Sequence, residues 1–280
     1  MIFMKTRLFS LVILMVVSFG LKAQTWTNAF SLGSGANTNQ NNAAGVCTDA
    51  AGNKYATGWF SGTVDFDPGA GTANLVTGNS TSLVICNTYL AKYDASGAFQ
   101  YAVKIAHSDL INVPTTGGIC TDGSYLYIYG MFSGTTTFGS TSYTASGTYD
   151  FFIAKVQPSD GSIVWVKQYG AANGEGGFGI CSDHAGGLYI NGYFSISTTI
   201  GSFTLNSTAY ADAFTAKINA SDGTVAWATK YGNSGGNSEG TYGAMVYNPS
   251  NNKVYALGTT NVSPPGESGY YGSFTVPLAP

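Results

Sequence analysis

A repeat constrains this chain more than any other feature. The segment Gly45-Val46-Cys47-Thr48-Asp49-Ala50-Ala51-Gly52-Asn53-Lys54-Tyr55-Ala56-Thr57-Gly58 returns as Gly118-Ile119-Cys120-Thr121-Asp122 followed by Leu126-Tyr127-Ile128-Tyr129-Gly130. It returns again as Gly179-Ile180-Cys181-Ser182-Asp183 followed by Leu188-Tyr189-Ile190-Asn191-Gly192. Gly243-Ala244-Met245-Val246 with Val254-Tyr255-Ala256-Leu257-Gly258 is a weaker fourth copy. The marker glycines Gly58, Gly130, Gly192 and Gly258 stand 72, 62 and 66 residues apart, and periods of tens of residues define repeat architectures. Each copy is two β-rich runs around an Asp/Gly/Asn/Ser turn, which is a hairpin.

A second block follows the first three copies: Tyr89-Leu90-Ala91-Lys92, Phe152-Ile153-Ala154-Lys155 and Phe214-Thr215-Ala216-Lys217. Each leads through a turn (Asp94-Ala95-Ser96-Gly97, Ser159-Asp160-Gly161, Ser221-Asp222-Gly223) into a strand carrying Tyr101, Trp165 or Trp227. A unit therefore holds four strands. Runs such as Leu126-Tyr127-Ile128-Tyr129 are apolar on both faces, as expected when each sheet is stacked between two neighbours rather than half exposed. The expected fold is all-β: β-propeller-like repeats of four-stranded antiparallel blades in an incomplete ring. Residues 24–34 would be an orphan closing strand, 43–106, 116–170 and 177–232 full blades, and 241–280 a partial fourth. Trp26 to Phe30 keeps the Trp-to-aromatic spacing of Trp165–Tyr169 and Trp227–Tyr231. Tyr271-Gly272-Ser273-Phe274-Thr275-Val276 parallels Ile200-Gly201-Ser202-Phe203-Thr204-Leu205, so the fourth blade is expected to lack its Lys-bearing strand, as in a piece of a longer protein.

The wording Gly-Val-x-x-Asp-Ala-x-Gly-Asn-x-Tyr-x-x-Gly from Gly45 to Gly58, with Asp65-Phe66, the Ala-Lys strand and the Trp strand, resembles the SBBP-type β-propeller repeat family. The resemblance spans nearly all of residues 26–276 and is clearest in the first unit. It implies a secreted or surface protein of Bacteroidetes-like bacteria, and it carries over no shared catalytic residues. Ser159-Asp160-Gly161-Ser162-Ile163-Val164-Trp165 and its counterpart ending at Trp227 loosely resemble the tryptophan-docking repeat of quinoprotein dehydrogenases. That motif packs blades together and lies apart from the cofactor.

The first residues set the expected compartment. Lys5 and Arg7 precede the apolar run Leu8 to Val17, and small residues lead to a cleavage point between Ala23 and Gln24. This is the layout of a secretory signal over residues 1–23, too short for a membrane span. Its removal takes away the sole arginine and leaves 8 basic against 14 acidic side chains, a net of −6. Nucleic acid is a poor partner for such a chain, because binding it needs a basic footprint. Charged residues make up 9% of the sequence, against roughly 25% in ordinary globular domains. Solubility must then come from neutral polar surface.

Most candidate chemistry dissolves into the repeat. Asp49, Asp122 and Asp183 fall in first-hairpin turns, and Asp94, Asp160 and Asp222 in second-hairpin turns. There a carboxylate bonds nearby backbone N–H groups. Asp150 and Asp212 precede equivalent strands. Asp65 and Asp67, in Asp65-Phe66-Asp67-Pro68-Gly69, are weak candidates for Ca²⁺, short of the ligand number of a recognised loop. Cys47, Cys120 and Cys181 share one strand position with Cys86 the odd member, and read as small buried apolar residues. His107 and His184 read as loop residues. No nucleophile elbow or phosphate loop is present, so no catalytic residue and no cofactor is assigned. The expected function is a non-catalytic secreted or cell-surface scaffold that binds a glycan or protein. The alternatives are an extracellular enzyme, glycan-active or quinoprotein-like, with its site in further blades, and a purely structural surface protein.

Overall fold

The computed structural model describes residues 40–77, 86–108, 115–207, 211–231, 239–240, 243–261 and 268–276. The expected signal segment over residues 1–23, the expected cleavage point at Ala23 and Gln24, and the expected strand at 24–34 lie outside them. The described residues form strands and turns with no helix. Three antiparallel meanders recur: Gln40–Thr48, Lys54–Ser61, Asn87–Tyr93 and Phe99–His107; Thr115–Thr121, Leu126–Phe132, Asp150–Val156 and Ile163–Tyr169; Glu175–Ser182, Gly187–Phe194, Asp212–Asn219 and Val225–Tyr231. In each, the strands lie in chain order. A small hairpin leaves each meander between its second and third strands: Thr63–Asp65 with Asn74–Val76, Thr135–Phe138 with Thr141–Thr144, and Ser197–Ile200 with Phe203–Asn206.

Two features depart from expectation. The hairpin at 135–144 pairs with the edge of the first sheet through Ala106↔Phe138 and His107↔Thr137. The first sheet is therefore six strands wide, and His107 ends a paired strand instead of following one. Covering an edge removes a row of open backbone groups. In the fourth sheet, Glu239–Gly240 and Met245–Asn248 pair with Lys253–Asn261 on one side, and Ser268–Val276 pairs with it on the other. The sequence parallel with Ile200–Leu205 puts that last segment in a side hairpin. Instead it occupies the third-strand place, with Val254 opposite Val276 as Leu188 is opposite Ile218. Pairing there satisfies the open edge of the nine-residue strand beside it.

Two of the marker glycines, Gly58 and Gly192, are explained by close approach. The first strands carry a register shift at Ala43/Gly45 and at Gly177/Ile180. The bulged backbone leans over the second strand. A Cβ on Gly58 would fall 1.7 Å from the Asn42 carbonyl oxygen, and one on Gly192 would fall 2.1 Å from that of Gly176.

Successive sheets share cores. One cluster joins Tyr55 and Leu90 of the first sheet to Ile119, Ile128 and Phe152 of the second. Another joins Tyr129, Phe151 and Ile153 to Ile180, Ile190 and Phe214 of the third. A third joins Cys181, Tyr189 and Trp227 to Met245, Val254 and Ala256 of the fourth. The strand Asp150–Val156 is buried at every position, whereas Ile163–Tyr169 and Val225–Tyr231 mix exposed and covered residues. The central strands are covered on both faces, as the doubly apolar runs predict.

Candidate functional site

The repeat delivers its polar groups in register. Asp150 faces Phe132, Asp212 faces Phe194 and Asn87 faces Phe60, so the three polar groups are one position in three sheets. Each is buried. Asp150 accepts the N–H groups of Ser146 and Gly147 at 3.0 and 3.3 Å and the Gln168 amide at 2.6 Å. In the third sheet the place of Gln168 is taken by Lys230, whose ammonium lies 2.9 Å from Asp212.

Beside Asp150 opens a groove of about 700 Å³ between the fourth strand of the second sheet and the side hairpin and turn of the third. Thr144, Lys167, Thr199, Ser202 and Thr224 line it together with Asp150. Four hydroxyls, an exposed lysine and a carboxylate suit a polar, hydroxyl-bearing ligand more than an apolar one. A smaller groove of about 370 Å³ lies at the corresponding hairpin of the second unit, between Gly139 and Trp165.

Glu175 is the residue that motif reading passes over. It opens the third sheet, is fully buried, and accepts the Ala171 N–H at 3.2 Å through Oε1. Its Oε2 has no hydrogen-bond partner. Burial, with a further push from the Asp150 charge, raises its carboxyl to about 8, so the group is neutral at pH 7. A signal was present: Glu175-Gly176-Gly177-Phe178-Gly179 recurs as Glu239-Gly240-Thr241-Tyr242-Gly243, and Glu239 faces Thr260 as Glu175 faces Phe194. Glu175 is not among the groove-lining residues.

The other sequence candidates fall where the turns put them. Asp49, Asp94, Asp122, Asp160, Asp183 and Asp222 each accept a backbone N–H two residues on. For Asp222, the Thr224 N–H holds the carboxyl below the usual carboxylate range. Asp49 and Asp122 also accept the hydroxyls of Tyr55 and Tyr127, at 3.0 and 2.6 Å. Asp65 Oδ1 accepts the N–H groups of Asp67 and Ala73, and Asp67 Oδ1 accepts that of Gly69. Among the described residues no group of three His, Cys, Asp or Glu side chains is placed to hold a metal ion.

Cys47, Cys120 and Cys181 face Tyr55, Tyr127 and Tyr189, and in the fourth sheet the same place beside Tyr255 belongs to Val246. All four cysteines carry free thiols. Burial, then the Asp49 charge, pushes the Cys47 thiol up to about 12, and burial, then the Asp183 charge, does the same to Cys181. His184 sits exposed in the first-hairpin turn of the third sheet with φ of 56°, its N–H on the Ser182 hydroxyl.

Compared with known proteins, the chain matches no family model and no curated protein. Among solved structures it matches the subtype N10 neuraminidase-like protein of A/little yellow-shouldered bat/Guatemala/060/2010 at 10% identity, over 85% of this chain and 95% of that one, with a TM-score of 0.28. A likeness at that level carries no weight for fold or activity.

Proposed function

We propose that this chain is a non-catalytic, exported scaffold of propeller-like stacked blades that binds a polar ligand, a glycan or a protein surface, in the groove beside Asp150. The observation that carries the reading is the fate of the carboxylates. The six turn aspartates are held by the backbone N–H groups of their own turns, and buried Glu175 stands away from the groove lining. What the groove offers is hydroxyls, one cation and the buried Asp150 carboxylate, which its neighbours Ser146, Gly147 and Gln168 already engage, on a rigid frame, which is a recognition surface. Export rests on the Lys5–Gln24 segment, and the blade assignment on the three repeated meanders and the SBBP-like wording.

A glycan array and a panel of extracellular proteins, probed with the full chain, test the proposal. A bound ligand should be lost in Lys167→Ala and Thr199→Val, both at the groove rim. Binding unaffected by both changes would move the site elsewhere. Turnover of a glycan substrate that stops in Asp150→Asn would replace the scaffold reading with an enzyme.

A further inference from the structure

Glu175 stands off the groove lining but touches the neighbours of two residues that form it. Gly170, leaving the second sheet, and Thr199, in the side hairpin of the third, both line the groove. The Gly170 N–H donates to the Thr199 carbonyl at 3.3 Å. Glu175 Oε1 accepts the N–H of Ala171, one residue from Gly170, and the carboxyl lies beside the hydroxyl of Thr198, one residue from Thr199. Glu175 and Thr198 are fully buried, and neither Oε2 nor the Thr198 hydroxyl completes a hydrogen bond. One carboxyl thus sits where the two walls of the groove join.

The repeat shows what is special about this junction. In the third sheet Lys230 stands where the second has Gln168, and its ammonium meets Asp212 at 2.9 Å. Gln168 meets Asp150 with a neutral amide instead. Of the charged groups near Glu175, Asp150 of the second sheet acts on the carboxyl. Asp212 of its own sheet lies beyond Phe194 and is held by Lys230, and Lys167 lines the groove. Charge at the junction is therefore kept down by a proton on Glu175, which burial and then Asp150 hold to about pH 8. An ionised Glu175 would be a buried charge facing another of the same sign, which is costly until water reaches it. Parting Gly170 from Thr199 admits that water for the loss of one long backbone hydrogen bond.

We propose that Glu175 is a proton-operated latch on the groove: protonated, it keeps Gly170 and Thr199 joined, and ionised, it lets them part so that the groove releases its ligand. The release rests on the recognition reading given above, whereas the latch is read with no ligand present. The probe is the proton, titrated into the isotope-labelled full chain and followed by NMR. The Gly170 amide resonance should move with the same midpoint as the Glu175 carboxyl. Each pH unit above that midpoint should shift the closed-to-open ratio by up to about tenfold. The movement should vanish in Glu175→Gln, which is neutral at every pH. Gln168→Lys installs the third sheet's lysine and should lower the midpoint by at least one pH unit. A Gly170 amide that stays still while Glu175 titrates would overturn the latch, as would the same movement persisting in Glu175→Gln. A groove ligand should lose at least tenfold in affinity between pH 7 and pH 9 in the wild-type chain but not in Glu175→Gln, and equal losses in both would overturn the release. Failure of the recognition reading alone looks different: the latch titrates as described, and no ligand responds to Lys167→Ala.

Discussion

Glu175 carries the clearest pH signature in the molecule. In the folded chain it keeps its proton up to about pH 8, whereas an unfolded glutamate releases it near pH 4.3. Between those values the native state binds the extra proton, so stability falls as pH rises through the window and the loss is complete above pH 8. Glu175→Gln should flatten that slope, raising stability at pH 8.5 by on the order of a few kcal/mol, as read from urea midpoints at pH 5 and pH 8.5. Equal slopes in both proteins would refute the assignment. Lys155 is the matching case for a cation: its ammonium is buried on the Ala220 carbonyl and lies 4.0 Å from the Tyr125 ring. Lys155→Met should cost about 2 kcal/mol, because a buried charge-assisted hydrogen bond is lost, while the Ala220 carbonyl keeps the Tyr127 hydroxyl at 3.4 Å. Lys217→Met, which gives up a partly exposed ion pair with Asp183 at 3.5 Å, should cost under about 1 kcal/mol. The sequence exposed the lysines by their recurrence but not their duty, since a lysine reaching into the next unit looks identical to one reaching into solvent. Glu175 was harder still: what sets its proton affinity is the depth of the sheet junction, a property of packing.

At the scale of strands, the hairpins, their turns and the doubly buried central strands were all legible, because each is written locally in turn residues and in apolar runs. The edges were not. Whether the hairpin at 135–144 joins its own unit or the sheet before it depends on which backbone lies within reach, and two pairs, Ala106↔Phe138 and His107↔Thr137, decide it. The same holds for Ser268–Val276, where an open edge outweighs a sequence parallel. The glycines mark where strands press together. A methyl on Gly192 would meet the Gly176 carbonyl and the Phe214 ring at 2.1 and 2.7 Å, whereas one on Gly174 meets nothing within 4 Å. Gly192→Ala should therefore destabilise by about 3 kcal/mol through overpacking, and Gly174→Ala should stay within about 0.5 kcal/mol. Thermal unfolding of the two variants makes the comparison, and similar losses would mean that the bulge has room to retreat.

Across the whole molecule, stability accumulates through interfaces between neighbouring sheets, so unfolding is expected to spread from one end rather than strike all cores together. Hydrogen exchange should find the amides of Leu126–Phe132 and Asp150–Val156, which lie between two cores, slower than those of Lys253–Asn261. Uniform protection would contradict a nearest-neighbour stack. One residue gives this stack a direction. Lys54 stands opposite Tyr93, where the later sheets place Leu126 opposite Val156 and Leu188 opposite Ile218. Its ammonium ties down its own turn instead of leaving it for a predecessor. The units are consequently not interchangeable parts. A chimera repeating the second unit could be lengthened in the middle, but the first unit moved to an interior slot would press a cation into a leucine's seat, and only Lys54→Leu would let it travel.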